Sequence, residues 1–303
     1  MILENFKILS IQSHVVSGYV GNKCCILPLQ ILGNDVDFIN SVQFSNHTKY
    51  EVCKGQVLNS QDLKDLYDGL KSNRLCNYSS IITGYIGSKT FLEEVCNIVE
   101  DIKRLNPNAL FYCDPVMGDN GKMYVPSELL DVYRSKVLSL ADVMFPNQYE
   151  AELLTGIEIK SEVDILKALA LFHNKGVKTA VVTSSNIGPS DVLFGFVSKI
   201  NNDGQPQRFR LEIPKIPYDF VGTGDLFVSL FLGWSLKFPN NLREVCSRVI
   251  GSMQKVLKRT VAHYEGLNSN LNIPECQGLE LKLVDSIQDL MNPQSFDRII
   301  QLD

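Results

Sequence analysis

No two of the eight cysteines in this sequence form a C-x-x-C pair, and their spacing fits no zinc-binding pattern. Several instead stand in apolar stretches, such as Cys96 in FLEEVCNIV and Cys113 in ALFYCDP, where a free thiol serves as a small hydrophobe. That usage points to a reducing compartment. Long hydrophobic runs are also missing. The longest candidate, Leu226–Leu236, falls far short of the roughly 20 residues a membrane-spanning helix needs. The opening MILENFKILSIQS lacks the basic segment, apolar core and cleavage site of a secretory signal. A soluble, cytoplasmic chain with no membrane partner is therefore expected. Positive charge is not in excess: 29 Lys and Arg stand against 34 Asp and Glu, a net charge of −5. Nucleic-acid binders concentrate Lys and Arg to neutralise phosphates, so no nucleic-acid partner is expected. A single nucleotide remains compatible, because backbone amides and a metal ion can supply local positive potential.

Internal repeats, low-complexity segments and linkers are absent as well. The 303 residues, 45% hydrophobic and 21% charged, are enough for a large core. With no boundary in composition or charge, one domain over residues 1–303 is expected. Short apolar runs alternate with helical patterns. Phe6–Ile11, Val36–Ile39, Ser79–Thr83, Ala109–Asp114, Val143–Phe145 and the β-branched Val177–Thr183 read as strands. Asn22–Leu32, Leu63–Leu70, Lys89–Leu105, Glu128–Val137, Tyr149–Leu154 and Val163–Asn174 supply the helical or connecting patterns between them. Such alternation implies βαβ units and a mostly parallel sheet covered on both faces, an α/β three-layer architecture. After about Ser190 the pattern changes. Asp191–Lys199 and Gln207–Pro214 predict a hairpin around Asn201–Gly204, then helices near Asp225–Leu236 and Leu242–Tyr264. Gly278–Val284 alternates like an edge strand.

In open α/β sheets ligands bind beyond the carboxyl ends of the strands, and three segments of chemical interest fall there or at a helix start. Gly222-Thr223-Gly224-Asp225 opens the apolar helix LFVSLFLGW. Glycines admit a ligand close to the backbone, and the first helical N–H groups attract anionic oxygens. Asp225 in the first turn suits a general base. The competing reading is a capped helix start, with Thr223 as the cap and Asp225 complementing the helix dipole. Asp114-Pro115-Val116-Met117-Gly118-Asp119 follows a strand directly, so its two carboxylates could hold Mg²⁺ through water or simply shape a turn. Asn147-Gln148-Tyr149-Glu150 follows another strand, with the spacing of a helix capping box or of water-mediated metal binding.

These three segments, in this order and context, resemble the ribokinase-like superfamily of small-molecule kinases. Ser10–Asn22 (SIQSHVVSGYVGN), Asn40–Thr48 (NSVQFSNHT), Lys54–Leu58 (KGQVL), Thr83-Gly84-Tyr85 and Met123–Pro126 are similar to its pyridoxal kinase branch in the eukaryotic form. The resemblance runs from about residue 6 to about residue 285. It implies a ribokinase-like fold and ATP-dependent phosphorylation of the 5-hydroxymethyl group of pyridoxal, pyridoxine and pyridoxamine, a vitamin B6 salvage reaction. It further implies Asp225 as the base and Gly222, Thr223 and Gly224 as the anion hole. Ser13, Val20, Phe44, Thr48 and Tyr85 would line the pyridine pocket. Asp114, Asp119, Tyr124, Thr183 and Ser184 would serve the nucleotide, Tyr124 from a lid, and Asp114, Asn147 and Glu150 the shell of Mg²⁺ or another divalent ion such as Zn²⁺. K⁺ as a monovalent activator and a homodimer are implied too. The lid segment DNGKMY (Asp119–Tyr124) is shorter than in vertebrate members.

A pyridine ring needs apolar walls with a few convergent polar groups, which the pocket residues supply. Phosphoryl transfer needs positioning and charge stabilisation above all. Neither a G-x-x-x-x-G-K-[ST] loop nor an H-R-D loop is evident, which disfavours the kinase classes built on them. Two readings compete: a hydroxymethylpyrimidine or sugar kinase on the same fold, and a catalytically silent vitamin-binding protein. The intact Gly222–Asp225 segment speaks against the silent one. His14 and His47 are expected to shape the pocket through hydrogen bonds, and His173 and His263 to lie on helix surfaces.

Overall fold

The computed structural model describes residues 6–271 and 273–303. Residues 1–5, which open the segment tested above for a secretory signal, lie outside the described residues. The strands are β1 (Lys7–Val15), β2 (Asp35–Phe44), β3 (Gly55–Val57), β4 (Ser80–Thr83), β5 (Leu110–Cys113), β6 (Gly118–Asp119), β7 (Lys122–Met123), β8 (Val143–Met144), β9 (Thr179–Ser185), β10 (Val192–Ile200), β11 (Pro206–Pro214) and β12 (Ile299–Leu302). The helices are α1 (Gly21–Ile31), α2 (Ser60–Ser72), α3 (Lys89–Leu105), α4 (Glu128–Val132), α5 (Leu138–Leu140), α6 (Gln148–Thr155), α7 (Glu162–Asn174), α8 (Thr223–Lys237), α9 (Leu242–Leu271), α10 (Glu275–Gly278) and α11 (Ile287–Met291).

Ten strands form one sheet in the order β12-β11-β10-β9-β8-β5-β4-β1-β2-β3. Its middle, from β9 to β2, is parallel throughout, and antiparallel strands close both edges. The alternation of the strands decides the layers. Successive side chains point to opposite faces, so Leu9, Ile81, Phe111, Met144 and Val182 join one core with α2, α3, α6 and α7. Their neighbours Ile8, Ile82, Tyr112, Val143 and Val181 join the other with α1, α8 and α9. The three-layer α/β/α fold with a mostly parallel sheet is therefore as expected.

Helix α8 shows why the carboxyl ends of the strands become a rigid platform. Every residue from Leu226 to Trp234 is buried, so no face of this stretch meets water. Burying one Leu or Phe side chain contributes about 1.5–3 kcal/mol, and several such residues fix the start of α8 against the sheet. Phe145, just beyond β8, packs edge-on against Phe227 and Phe231.

Two expectations are corrected, and one strand is added. Gly278–Val284 pairs with no strand. Its apolar alternation instead buries Leu281 and Leu283 under α1, α8 and α9, and the edge strand is β12, paired antiparallel with β11. Edge strand β3 was not foreseen, since only three residues form it. His173 lies on α7 but is half-buried and held rather than free: its Nδ1 lies 2.7 Å from the Val177 carbonyl oxygen and its Nε2 2.7 Å from the Ser198 hydroxyl.

Candidate active site

Parallel strands deliver their following loops to one rim, and a cavity of about 420 Å³ opens there. All sixteen residues singled out above line it. Ser13 comes from the end of β1, Val20 from the start of α1 and Phe44 from the end of β2, with Thr48 in the next loop. Tyr85, Asp114 and Asn147 follow β4, β5 and β8. Thr183 and Ser184 end β9, Asp119 and Tyr124 come from the β6–β7 hairpin, Glu150 from α6, and Gly222–Asp225 begin α8.

The start of α8 resolves one of the two readings offered for it. Gly222 is its N-cap, in the left-handed region at φ 84°, and no side chain caps the helix. The expected Thr223 cap is absent, so the first-turn N–H groups keep their affinity for anionic oxygens. Glycine is required at 222 on two grounds. The φ is costly for other residues, and a Cβ would lie 2.2 Å from the Tyr19 carbonyl oxygen. Asp225 Oδ2 accepts the Gly21 N–H at 2.8 Å. Burial raises the Asp225 carboxyl from 3.8 to about 6, with the Gly21 N–H opposing. A carboxylate with that pKa is ionised at neutral pH yet basic enough to accept a proton.

Glu150 and Asn147 do form the capping box. Asn147 Oδ1 accepts the Glu150 N–H at 2.9 Å, and Glu150 Oε2 accepts the Asn147 N–H at 2.9 Å. Glu150 goes further: its Oε1 accepts the Met117 N–H at 2.8 Å, and Asn147 Nδ2 donates to the Gly118 carbonyl at 2.7 Å. The pair thus anchors the loop that carries Asp119. Glu150 is 3% exposed, and burial lifts its carboxyl from 4.5 to about 7 against these backbone donors. Asp114 is raised as well, by burial first and then by the charges of Glu150 and Asp225. No Lys or Arg lines the cavity, so its carboxylates face one another without a protein cation.

A second cavity of about 340 Å³ adjoins the first and shares Asp119, Thr183, Ser184, Phe220, Thr223 and Gly224 with it. Its far wall is apolar, with Ile213 from β11 and Ile250, Met253 and Leu257 from α9. Sequence reasoning missed this wall, because scattered core-like residues of a long helix carry no local signature. It also missed Phe220, whose place just before Val221-Gly222 was the available signal. His14 and His47 both border the first cavity. His47 is held at both ring nitrogens, as a pocket-shaping residue should be, by the Lys49 N–H and by Glu280.

Residues 57–264 match the pfkB family carbohydrate kinase family. The chain is 48% identical over 288 residues to the pyridoxal kinase of Arabidopsis thaliana, covering 95% of this chain and 92% of that one. It is 47% identical over 302 residues to the pyridoxal kinase of Ovis aries, with 96% and 97% covered. The pyridoxal kinase from Leishmania donovani, solved in complex with ADP and pyridoxamine, superimposes with a TM-score of 0.90 at 31% identity, covering 99% of this chain and 100% of that one.

The anchoring role of Glu150 is testable. In Glu150→Gln the Met117, Gly118 and Asn147 N–H groups share one remaining acceptor oxygen, so the stability of the protein should fall by about 1–3 kcal/mol. The folded pKa of Glu150 is raised. Its contribution is therefore full below about pH 4.5 and declines as pH rises towards 7, and the deficit of the variant should shrink over that window. Chemical denaturation of both proteins at pH 5 and pH 7.5 measures it. An unchanged midpoint at both values would refute the anchoring role.

Proposed function

This chain belongs to the pfkB carbohydrate kinase family and, within it, to the pyridoxal kinases; we propose that it moves the γ-phosphate of ATP to the 5-hydroxymethyl group of pyridoxal, pyridoxine or pyridoxamine. One observation carries the reading. A vitamin-sized cavity and a second, apolar-walled cavity meet at Thr223 and Gly224, with Asp225 facing the first. A two-substrate transfer needs this layout: acceptor on one side, nucleotide on the other, and the uncapped helix start between them.

In the reaction, Asp225 accepts the hydroxymethyl proton. The freed oxygen lone pair forms a bond to the γ-phosphorus while the bond from that phosphorus to the β–γ bridging oxygen breaks, and ADP carries away the electron pair. The backbone N–H groups at Gly222, Thr223 and Gly224 bear on the oxygens of the transferring group, where charge is greatest. Val20 and Phe44 sandwich the pyridine ring, and Ser13, Thr48 and Tyr85 orient its polar substituents. Thr183 and Ser184, shared by both cavities, serve the phosphates. Asp119 and Tyr124 cover the site from the β6–β7 hairpin.

The donor set fits a divalent ion held through water. Among the described residues no three His, Cys, Asp or Glu converge as a direct metal cluster, yet Asp114 and Glu150 are buried without a cation. Asp114, Asn147 and Glu150 would hold Mg²⁺, or another divalent ion such as Zn²⁺, which neutralises phosphate charge when bound. We also assign K⁺ as an activator near Gly222–Gly224. The whole chain, with its single ten-stranded sheet, acts as one domain. A homodimer is the working assembly, and Val57, 61% exposed on edge strand β3, is consistent with a covering partner. A cytoplasmic location accords with cysteines that are all free.

Incubation of the purified protein with MgATP and pyridoxal should yield pyridoxal 5′-phosphate and ADP in equal amounts. Phosphorylation of hydroxymethylpyrimidine with none of pyridoxal would overturn the assignment. The metal proposal has its own measurement. Because burial raises the Glu150 carboxyl to about 7 and raises Asp114 as well, Mg²⁺ should raise the Tm of the nucleotide-free protein more at pH 8 than at pH 5.5. Equal increments at both values would count against these carboxylates as the holders.

A further inference from the structure

Glu280 lies far along the chain from every residue assigned above, in the irregular segment after α10. Its side chain is 15% exposed and bonds to His47, which lines the vitamin cavity, and to Tyr19 and Tyr50, which stand beside the cavity residues Val20 and Thr48 and border, with Glu280, a neighbouring cavity of about 590 Å³. Oε2 accepts the Tyr19 N–H at 3.2 Å. Oε1 accepts the Tyr50 hydroxyl at 3.2 Å and lies 3.2 Å from His47 Nε2. His47 Nδ1 already accepts the Lys49 N–H at 3.3 Å, so in the neutral ring Nε2 carries the hydrogen and donates to Glu280. Burial works to raise the Glu280 carboxyl, but His47 and the Tyr19 and Tyr50 donors outweigh it and hold the group below its usual range.

The consequences reach the reacting end of the site. Tyr19 precedes Val20, the apolar wall, and its carbonyl fills the space that a Cβ of Gly222 would need. Gly21, two residues on, donates to Asp225 at 2.8 Å. On the other wall, Thr48 sits between His47 and Tyr50, both tied to the same carboxylate. One side chain thereby sets the distance between the Tyr19–Gly21 turn and the His47–Tyr50 loop.

We propose that Glu280 is a positioning residue for the vitamin substrate, holding Val20 and Thr48 at the spacing of a pyridine ring through its bonds to Tyr19, His47 and Tyr50. This rests on the reading of the first cavity as the vitamin site. Glu280 touches neither the second cavity nor Asp225 directly, so its effect falls first on the acceptor and reaches Asp225 only through the Tyr19–Gly21 turn.

The test is steady-state kinetics with Glu280→Gln, which keeps the size but replaces one acceptor oxygen by a donor that opposes His47 Nε2–H or the Tyr19 N–H. The KM for pyridoxal should rise about tenfold, the scale of one lost charge-assisted hydrogen bond. The KM for ATP should stay within about twofold, and kcat should change less than the pyridoxal KM. Tyr50→Phe removes one donor without disturbing the others, so its pyridoxal KM should rise by a smaller factor of about two to three. The double variant should be no worse than Glu280→Gln alone, because the two act through one contact. A fall in Tm with the pyridoxal KM unchanged would overturn the proposal and leave Glu280 as a structural tie. If Glu280→Gln does not fold, an unchanged pyridoxal KM in Tyr50→Phe overturns it in the same way. Equilibrium dialysis of pyridoxal separates this failure from that of the functional reading: a wild type that binds pyridoxal but makes no phosphate ester sinks the kinase assignment, whereas equal pyridoxal affinity in wild type and variants sinks the positioning role.

Discussion

The site is organised around one close contact between two helix beginnings. The Tyr19 carbonyl at the entry to α1 packs where Gly222, at the entry to α8, has no side chain. Two residues beyond Tyr19 and three beyond Gly222, the Gly21 N–H binds Asp225. The two helices pack on each other in one core, α8 by burial along its length and α1 through Cys24, Cys25 and Leu29. Their starts are thus held at a distance that tertiary packing sets. That distance leaves the first turn of α8 uncapped and places a basic carboxylate beside it. Any side chain at 222 would push the two apart, and both the open first-turn N–H groups and the Asp225 orientation would go with it.

Charge supplies the second constraint. A folded protein avoids burying carboxylates without partners, because desolvation is costly. Here Asp114, Glu150 and Asp225 are raised by burial, and Asp114 is raised further by its neighbours. The chain spends its cations elsewhere: Asp142 pairs with Lys103 and Lys178, and Arg210 with Glu162 and Glu212. A cavity kept negative in this way is suited to receive a metal–nucleotide complex, whose ion compensates both the phosphates and the protein. Glu150 plays a double part, since the donors that hold it also anchor the Met117–Gly118 loop.

How much of this was legible in the sequence follows from where each signal lies along the chain. The parallel strands show as β-branched runs whose flanking helices supply the opposite period. Gly222–Asp225, Asp114–Asp119 and Asn147–Glu150 are contiguous segments, and all of their singled-out residues converge on one cavity. Gly278–Val284 misled because alternation alone does not distinguish a strand from an extended segment packed under helices. The apolar wall from Ile213 and α9 was invisible, since core residues and cavity-lining residues look alike in sequence. Glu280 was invisible for another reason: its partners Tyr19 and Tyr50 lie 261 and 230 positions away, a separation that no local pattern records.

The central claim is that Asp225 acts as a proton acceptor and not merely as a complement to the helix dipole. The direct measurement is the pH dependence of the single-turnover rate of phosphate transfer to pyridoxal, at saturating ATP and metal, in wild type and Asp225→Asn. A base is active when ionised, so the wild-type rate should climb about tenfold per pH unit at acid pH and level off above about 6, the value to which burial lifts this carboxyl. Asp225→Asn should lose that limb and run at least about a hundredfold slower on the plateau, with pyridoxal and ATP affinities little changed. A variant that keeps the wild-type rate and the same acid limb would contradict the account.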